Sequence, residues 1–328
     1  MTILRVLVAE RHIFIFIDMK KERAMAIPNE SNEVMTDVGV RTNERRVVTP
    51  QGRVFVRDIP GDDPPIVLMH GFPDDHRIYD KLLPLLSPRR AVAFDWLGYG
   101  RSDRPKAVGV SLDDHGSDLA AVLDELGISR AVLVGHDASG PDAVAFAVAH
   151  PQRVAHLVLL NTMFGHQPAL HLPEMIRLLA DPALIPLADA MINDEGQRLW
   201  LLQHTADQWG LDAVDPESLA IRSILPQFFG DAGQPAALTA IRAWTAGLFD
   251  ALVGQDELID SGALGRLEVP VSIIFGETDR YLTPSLAAEI AGLFKEPSLH
   301  LVENASHWPQ HDQPEALAEL IRKATDHE

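Results

Sequence analysis

Apolar residues along this chain follow two alternating rhythms. Short runs rich in β-branched residues recur at Pro65–His70, Ala91–Asp95, Ala131–Val134, Val154–Leu160, Val269–Gly276 and Leu299–Val302, the length and make-up of buried strands. Between them lie stretches with helical apolar spacing, at Asp75–Leu86, Ser111–Leu126, Ala143–Ala149, Ser285–Phe294 and from Pro314 onward. Ser111, with Asp114 three residues on, reads as a helix cap, and Gly127 as the matching stop. A hairpin precedes the series, two alternating runs from Arg46 to Arg57 joined by Pro50-Gln51-Gly52. Strands that alternate with helices predict an α/β fold, a mostly parallel sheet flanked by helices with its functional loops at the carboxyl ends of the strands.

The rhythm changes in two places. From 164 to 262, helix-like segments rich in Ala and Leu are punctuated by Pro168, Pro173, Pro182, Pro186, Pro216, Pro226 and Pro235, which predicts a helical cap inserted over the strand ends. In the first 45 residues, Ile3–Ala9 and Ile13–Ile17 are apolar but separated by Glu10, Arg11 and His12. Neither run is long enough to span a bilayer, and the small-residue cleavage site of a secretory signal is missing. The following stretch, Lys20 to Arg46, is polar and without period. Residues 1–45 therefore read as an N-terminal extension without chemistry, with Met25 or Met35 able to begin a shorter chain. The expected organisation is this extension, a core of 46–163 and 263–328, and the cap at 164–262.

Composition narrows the function. Of 328 residues, 46% are hydrophobic, enough for a sizeable core, and 47 acidic against 28 basic residues leave a net charge of −19. That balance disfavours nucleic acid and anionic membrane surfaces as partners. The expected partners are a small-molecule substrate and water, and a homodimer is compatible with the sequence. The chain contains no cysteine, which excludes a disulfide framework, a thiol nucleophile and a Cys-ligated metal, and fits a cytoplasmic setting.

The chemistry centres on Val134-Gly135-His136-Asp137-Ala138-Ser139-Gly140, where a buried strand turns sharply into a helix. Small residues at 135 and 139 let such an elbow close, and the side chain at 137 is lifted clear of the sheet. A carboxylate there can attack carbon and form an ester, which a histidine-activated water then cleaves. His307 follows the last strand and suits that base, and Asp279 follows the preceding strand and suits the group that orients it. The order Asp137, Asp279, His307 is nucleophile, acid, base. The backbone N–H groups of Phe72 and Ala138 are the expected oxyanion hole. No metal and no cofactor is needed.

From Arg46 onward the chain resembles the α/β-hydrolase superfamily, and within it the branch of haloalkane dehalogenases and epoxide hydrolases. The resemblance rests on His70-Gly71-Phe72-Pro73, on Gly135-His136-Asp137, and on Asp95-Trp-Leu-Gly-Tyr-Gly-Arg-Ser-Asp103. It implies a cofactor-independent hydrolase acting on a small apolar halogenated compound, or alternatively an epoxide hydrolase with the same triad, or a non-catalytic binding protein that keeps the fold. The branch's leaving-group residues are not matched. Where dehalogenases carry Trp after the nucleophile there is Ala138, and where fluoroacetate-type enzymes carry arginines there are Ala138 and Pro141 or Asp142. The three tyrosines, Tyr79, Tyr99 and Tyr281, all fall outside the cap. Substitute donors are Asn161 and Trp308, and in the cap Trp200, Trp209, Trp244, His166, His171 and His204.

Other readings of the same residues are structural. Asp137 could cap the following helix, and Ser139 could be the nucleophile instead. Glu277 and Asp312 rival Asp279. His307 and His311 have metal-ligand spacing, but Pro309 argues against a helix there. His115 and His150 read as surface residues, and Asp95 as a brace for the loop after its strand.

Overall fold

The computed structural model describes residues 3–9, 12–18, 32–35 and 41–325, except 213, 214, 216 and 232. The rest of the N-terminal extension, Met25 included, lies outside the described residues. Strands β1 (Ile3–Ala9) and β2 (His12–Asp18) pair antiparallel as a sheet of their own. All other strands among the described residues form one nine-stranded sheet. Its antiparallel end is β3 (Asn32–Met35), β4 (Arg41–Val48) and β5 (Arg53–Ile59), so the polar stretch without apolar period supplies edge strands, held by main-chain pairing.

The parallel part consists of β6 (Asp62–Met69), β7 (Arg89–Phe94), β8 (Ala131–Asp137), β9 (Val154–Thr162), β10 (Val271–Gly276) and β11 (Ser298–Val302). Across the sheet the order is β11, β10, β9, β8, β6, β7, β5, β4, β3. The chain leaves β6 to one side for β7 and returns on the other as β8, so the loops after β6 and β8 meet at a topological switch point, where ligands of open α/β sheets bind. Every residue of β8, β9 and β10 except the last of β8 is buried, as parallel strands covered on both faces require. This is the α/β-hydrolase fold.

Helix α1 (Leu112–Glu125) opens on a reciprocal capping box between Ser111 and Asp114, as the sequence predicts. The elbow leads into α2 (Ser139–Ala149). Asp75–Leu86, in contrast, does not form one helix. Two 3₁₀ turns replace it, His76–Tyr79 and Leu83–Leu86, the second with Pro84 at its start and Pro88 just beyond.

Between β9 and β10 the chain is helical: α3 (Glu174–Ala180), α4 (Ile185–Asn193), α5 (Glu195–Trp209), a π-helical turn at Ala220–Ile224, α6 (Leu225–Phe229) and the long α7 (Leu238–Asp260). A buried carboxylate is one of the points that fasten this insertion to the sheet. Asp75, in the loop after β6, accepts from Gln227 Nε2 (2.7 Å) and Ser223 Oγ (3.3 Å) of the insertion and is bridged by Arg77 (2.6 Å). Helices α8 (Pro284–Ala291), α9 (Pro309–Asp312) and α10 (Pro314–Thr325) complete the core. The short α9 begins at Pro309 itself, whose missing N–H costs nothing in a first turn, so α9 carries His311 but not His307 and the two share no helix. No helix among the described residues is long and apolar enough to cross a membrane.

Candidate active site

The elbow can be read atom by atom. Asp137 ends β8 with φ at +49°, a left-handed backbone that Asp tolerates better than most residues. A Cβ on Gly135 would lie 2.8 Å from the Ser139 carbonyl oxygen, so the turn closes only over glycine there. Gly71, in the neighbouring loop, comes so near that its Cβ would sit 2.5 Å from that of Asp137. Ser139 has a different part. Its buried hydroxyl donates to the Met69 carbonyl (2.7 Å) and accepts from the His136 N–H (3.0 Å), tying the elbow to β6 and leaving Ser139 unsuited as a nucleophile. Nor is Asp137 a cap: α2 begins after Ala138, with no side chain capping it.

The Asp137 carboxylate is held by both amides that the sequence singles out. The Phe72 N–H donates to Oδ2 at 2.9 Å and the Ala138 N–H bonds the same carboxylate. Burial raises the pKa of Asp137 above its ordinary value, and the His307 imidazole and the two amides only partly oppose it.

His307 Nε2 lies 3.9 Å from Asp137 Oδ1, and its Nδ1 is 2.8 Å from Asp279 Oδ2. Burial alone would lower the pKa of this imidazole, but Asp279 first, then Asp137 and Asp74, bring it up to about 9. Asp279 is fixed on both oxygens. Oδ1 accepts from the N–H groups of Tyr281 (2.9 Å) and Leu282 (3.1 Å), and Oδ2 also accepts from Asn161 Nδ2 (2.8 Å). Burial works against it, yet these donors and His307 keep its pKa below the ordinary value. The rivals are elsewhere: Glu277 is exposed, and Asp312 accepts from the N–H and hydroxyl of Ser306. The three residues of the expected triad therefore meet at the ends of β8, β10 and β11.

Two expected substrate contacts have other work. Asn161 is buried at the end of β9, with its Nδ2 on Asp279 and its Oδ1 accepting the Gly276 N–H (2.9 Å), so it positions the acid instead of facing a substrate. The Trp308 ring is fully buried and its Nε1–H donates to Asp74 Oδ2 (3.0 Å). That Asp74 is a residue the sequence reading missed. It is buried, its Oδ1 has no partner among the described residues, and burial pushes its pKa up to about 7. The signal for it is a carboxylate placed directly after His-Gly-Phe-Pro. His136 is buried next to it, with Nε2 2.9 Å from the His307 carbonyl oxygen.

Of the cap candidates, only two come to these residues. Trp209 lies parallel to the His307 ring at 6.0 Å, and Trp244 stacks on Phe72 at 4.2 Å. Trp200 is exposed and stacked with His204, His166 pairs with Asp256, and His171 is exposed. The Tyr281 hydroxyl is spent on Glu174 (2.9 Å) of the insertion. Tyr99, edge-on to Phe72, keeps a buried hydroxyl with no partner among the described residues. Two cavities of about 30 Å³ flank this centre, one against Trp209 and the other against Ala138 and Trp244.

Oxygen and nitrogen atoms of Asp75, His76 and Asp95 lie within 4.8 Å of one another, as a metal site would need. They are already engaged, Asp75 as above and Asp95 by His76 Nδ1 (2.7 Å) and by the N–H groups of His76 and Arg101. Asp95 thus braces the loop after its strand, as the sequence predicts. His311 faces Lys81 (3.0 Å) and not His307.

Chemically, the centre offers a carboxylate with one oxygen held by the Phe72 amide and the other beside an imidazole that is itself held by a second carboxylate. Residues 64–209 match the family described as alpha/beta hydrolase fold. The chain is 29% identical to haloalkane dehalogenase 2 of Mycobacterium tuberculosis, over 83% of this chain and 91% of that protein. It is 28% identical to epoxide hydrolase 3 of Xenopus tropicalis, over 79% of this chain and 71% of the other. Among solved structures, Cfl2 from Burkholderia cenocepacia superposes with a TM-score of 0.71 at 21% identity, over 90% of this chain and 99% of its own, a likeness of fold.

Proposed function

Since the chain is an α/β-hydrolase, we propose that it cleaves a small, largely apolar halogenated substrate through an ester formed on Asp137. Asp137 Oδ1 attacks the electrophilic carbon and halide departs with the bonding electrons. Oδ2, held by the Phe72 N–H, with the Ala138 N–H on the same carboxylate, then takes up the negative charge as water adds to the ester. Collapse of that adduct breaks the bond from the carboxyl carbon to Oδ1 and releases the alcohol, which takes up the proton. His307 removes the proton from that water, and Asp279 holds the imidazole in place and stabilises its charged form. Esterification neutralises Asp137 and so removes one of the charges that hold the His307 pKa up, which favours the neutral imidazole at the step that needs a base.

The observation that carries this reading is the split use of the Asp137 carboxylate at a left-handed elbow, Oδ2 on the Phe72 N–H and Oδ1 toward His307. The similarity to a haloalkane dehalogenase favours halide as the leaving group. Epoxide opening is the second reading, supported by the Tyr99 hydroxyl, buried, unpartnered among the described residues and packed near Phe72, and by the similarity to an epoxide hydrolase.

Intact-protein mass spectrometry of His307→Ala, incubated with haloalkanes, haloacids and epoxides, separates the two. Without its base the enzyme should stop at the ester. A mass gain of the alkyl group identifies halide displacement, and a gain of the whole epoxide identifies ring opening. An adduct that persists in Asp137→Ala would sink the assignment of the nucleophile.

A further inference from the structure

The cavity against Ala138 contains a histidine–aspartate pair with no part in the triad. His115 of α1 and Asp142 of α2 both line it, together with Pro141, Met163 and Trp244. His115 Nδ1 is 3.0 Å from Asp142 Oδ2, and its side chain is 12% exposed, so the sequence reading of a surface histidine does not hold. Its ring is stacked on Trp96 at 4.4 Å. With Nδ1 given to Asp142, the remaining nitrogen, Nε2, has no hydrogen-bond partner among the described residues. The rest of the cavity wall named here is apolar or aromatic.

Displacement at carbon generates a second charge besides the one on the nucleophile, because the departing group leaves with the electron pair of the broken bond. In a pocket closed to bulk water that charge needs a donor fixed in advance. The triad supplies none: the Phe72 and Ala138 N–H groups are on Asp137, and His307 Nδ1 is on Asp279.

We propose that the Nε2–H of His115, with the ring held by Asp142, receives the departing halide in the cavity beside Ala138. This rests on Asp137 being the nucleophile. The Asp137 Oδ1–carbon bond forms, the carbon–halogen bond breaks with its electrons on the halide, and His115 keeps its proton and donates a hydrogen bond. The cavity, about 30 Å³, has room for an anion of one atom. Donation needs the charged imidazole. Burial opposes that form, but Asp142, with Asp118 and Asp114 of α1, raises the His115 pKa above its ordinary value. The residues of α7 at the cavity, among them Trp244 and Gln255, are uncharged.

Bromide tests the proposal without turnover. Sodium bromide is titrated into the wild type and into His115→Phe and His115→Gln, followed by calorimetry and by the fluorescence of the tryptophans beside the site, with circular dichroism to confirm folding. The wild type should bind bromide saturably, and more weakly as pH rises through the titration of His115. His115→Phe should lose at least about tenfold in affinity, and His115→Gln should retain part of the binding without its pH dependence. Unchanged affinity in a folded His115→Phe, or no bromide binding by the wild type, overturns the assignment. Sodium acetate is the parallel arm: acetate binding that depends on His115 while bromide does not bind would make this a site for a substrate carboxylate and would overturn the leaving-group role. Failure of the nucleophile reading shows separately, as the lack of any adduct on His307→Ala.

Discussion

The two faces of the active centre are built on different principles. On the sheet side, Asp137, Asp279 and His307 stand at the ends of parallel strands, and their polar contacts are with main-chain groups, with each other and with the Asn161 amide. On the insertion side the contacts are ring against ring: Trp209 along His307 and Trp244 on Phe72. The sheet side fixes angles and charges to fractions of an ångström, as covalent chemistry demands. Stacked rings fix shape and exclude water, with little control of direction, at about 0.5–1.5 kcal/mol for each pair beyond the area it buries. The reaction type therefore belongs to the first face and the choice of substrate to the second.

Breaking the first face should have the larger effects. Asp137→Ala should lower kcat by about 10⁴-fold or more, since removing a nucleophile leaves only binding and the oxyanion hole. Single-turnover kinetics check this, and a loss below about tenfold would contradict it. Asp279→Asn should cost about 10³- to 10⁴-fold in kcat through the orientation and tautomer of His307. The same change removes the main charge holding the His307 pKa up to about 9, so the pH at which the base loses its proton should fall, visible in an NMR titration of the imidazole.

Substitution on the second face should redistribute activity more than abolish it. Trp244→Leu should change the ratio of kcat/KM between substrates differing by one or two methylenes by about 10- to 100-fold, because it reshapes a wall next to Phe72 and Ala138. A uniform loss for all substrates would instead place Trp244 in the chemistry. Stability should respond to pH through the first face as well. The folded pKa of His307, about 9, is above its unfolded value of about 6.5, so its contribution is fully present below 6.5 and is lost as pH rises toward 9. Urea unfolding of wild type and His307→Ala across that window should converge at the alkaline end. The smallest effect is expected at Trp200, 59% exposed: Trp200→Ala should alter stability by no more than about 0.5 kcal/mol and kcat not detectably.

What was legible in the sequence follows the same division. A nucleophile elbow must carry small residues at set distances and stand between an apolar strand and a helix, so Gly135, Asp137 and the strand before them can be read in one line of sequence. His307 and Asp279 are legible because each directly follows a strand. Asn161 and Trp308 misled because position after a strand, or beside the base, does not say which way a polar atom turns, and Asp279 and Asp74 claim theirs. Asp74 and the His115–Asp142 pair were hidden for a related reason. Their partners lie 234 and 27 residues away, and pairing across such distances exists only once the sheet has brought α1 beside α2 and the loop after β6 beneath Trp308. The insertion is the least legible part, since helical apolar spacing says which residues pack but not which of them meet the strand ends.

The Asp75 clamp has a consequence for how the protein melts. Ser223 and Gln227 reach across to a carboxylate that is wholly buried and already paired with Arg77, and Gln227 also accepts the Gly100 N–H with its oxygen (3.1 Å). Lifting the insertion off the sheet would strand that ion pair without its amide, and loss of one member of a buried polar network costs several kcal/mol. The helices between β9 and β10 thus have little independence to unfold on their own. Sheet and insertion should absorb heat as a single cooperative unit, giving one calorimetric peak, and Asp75→Ala is the change that should divide it into two.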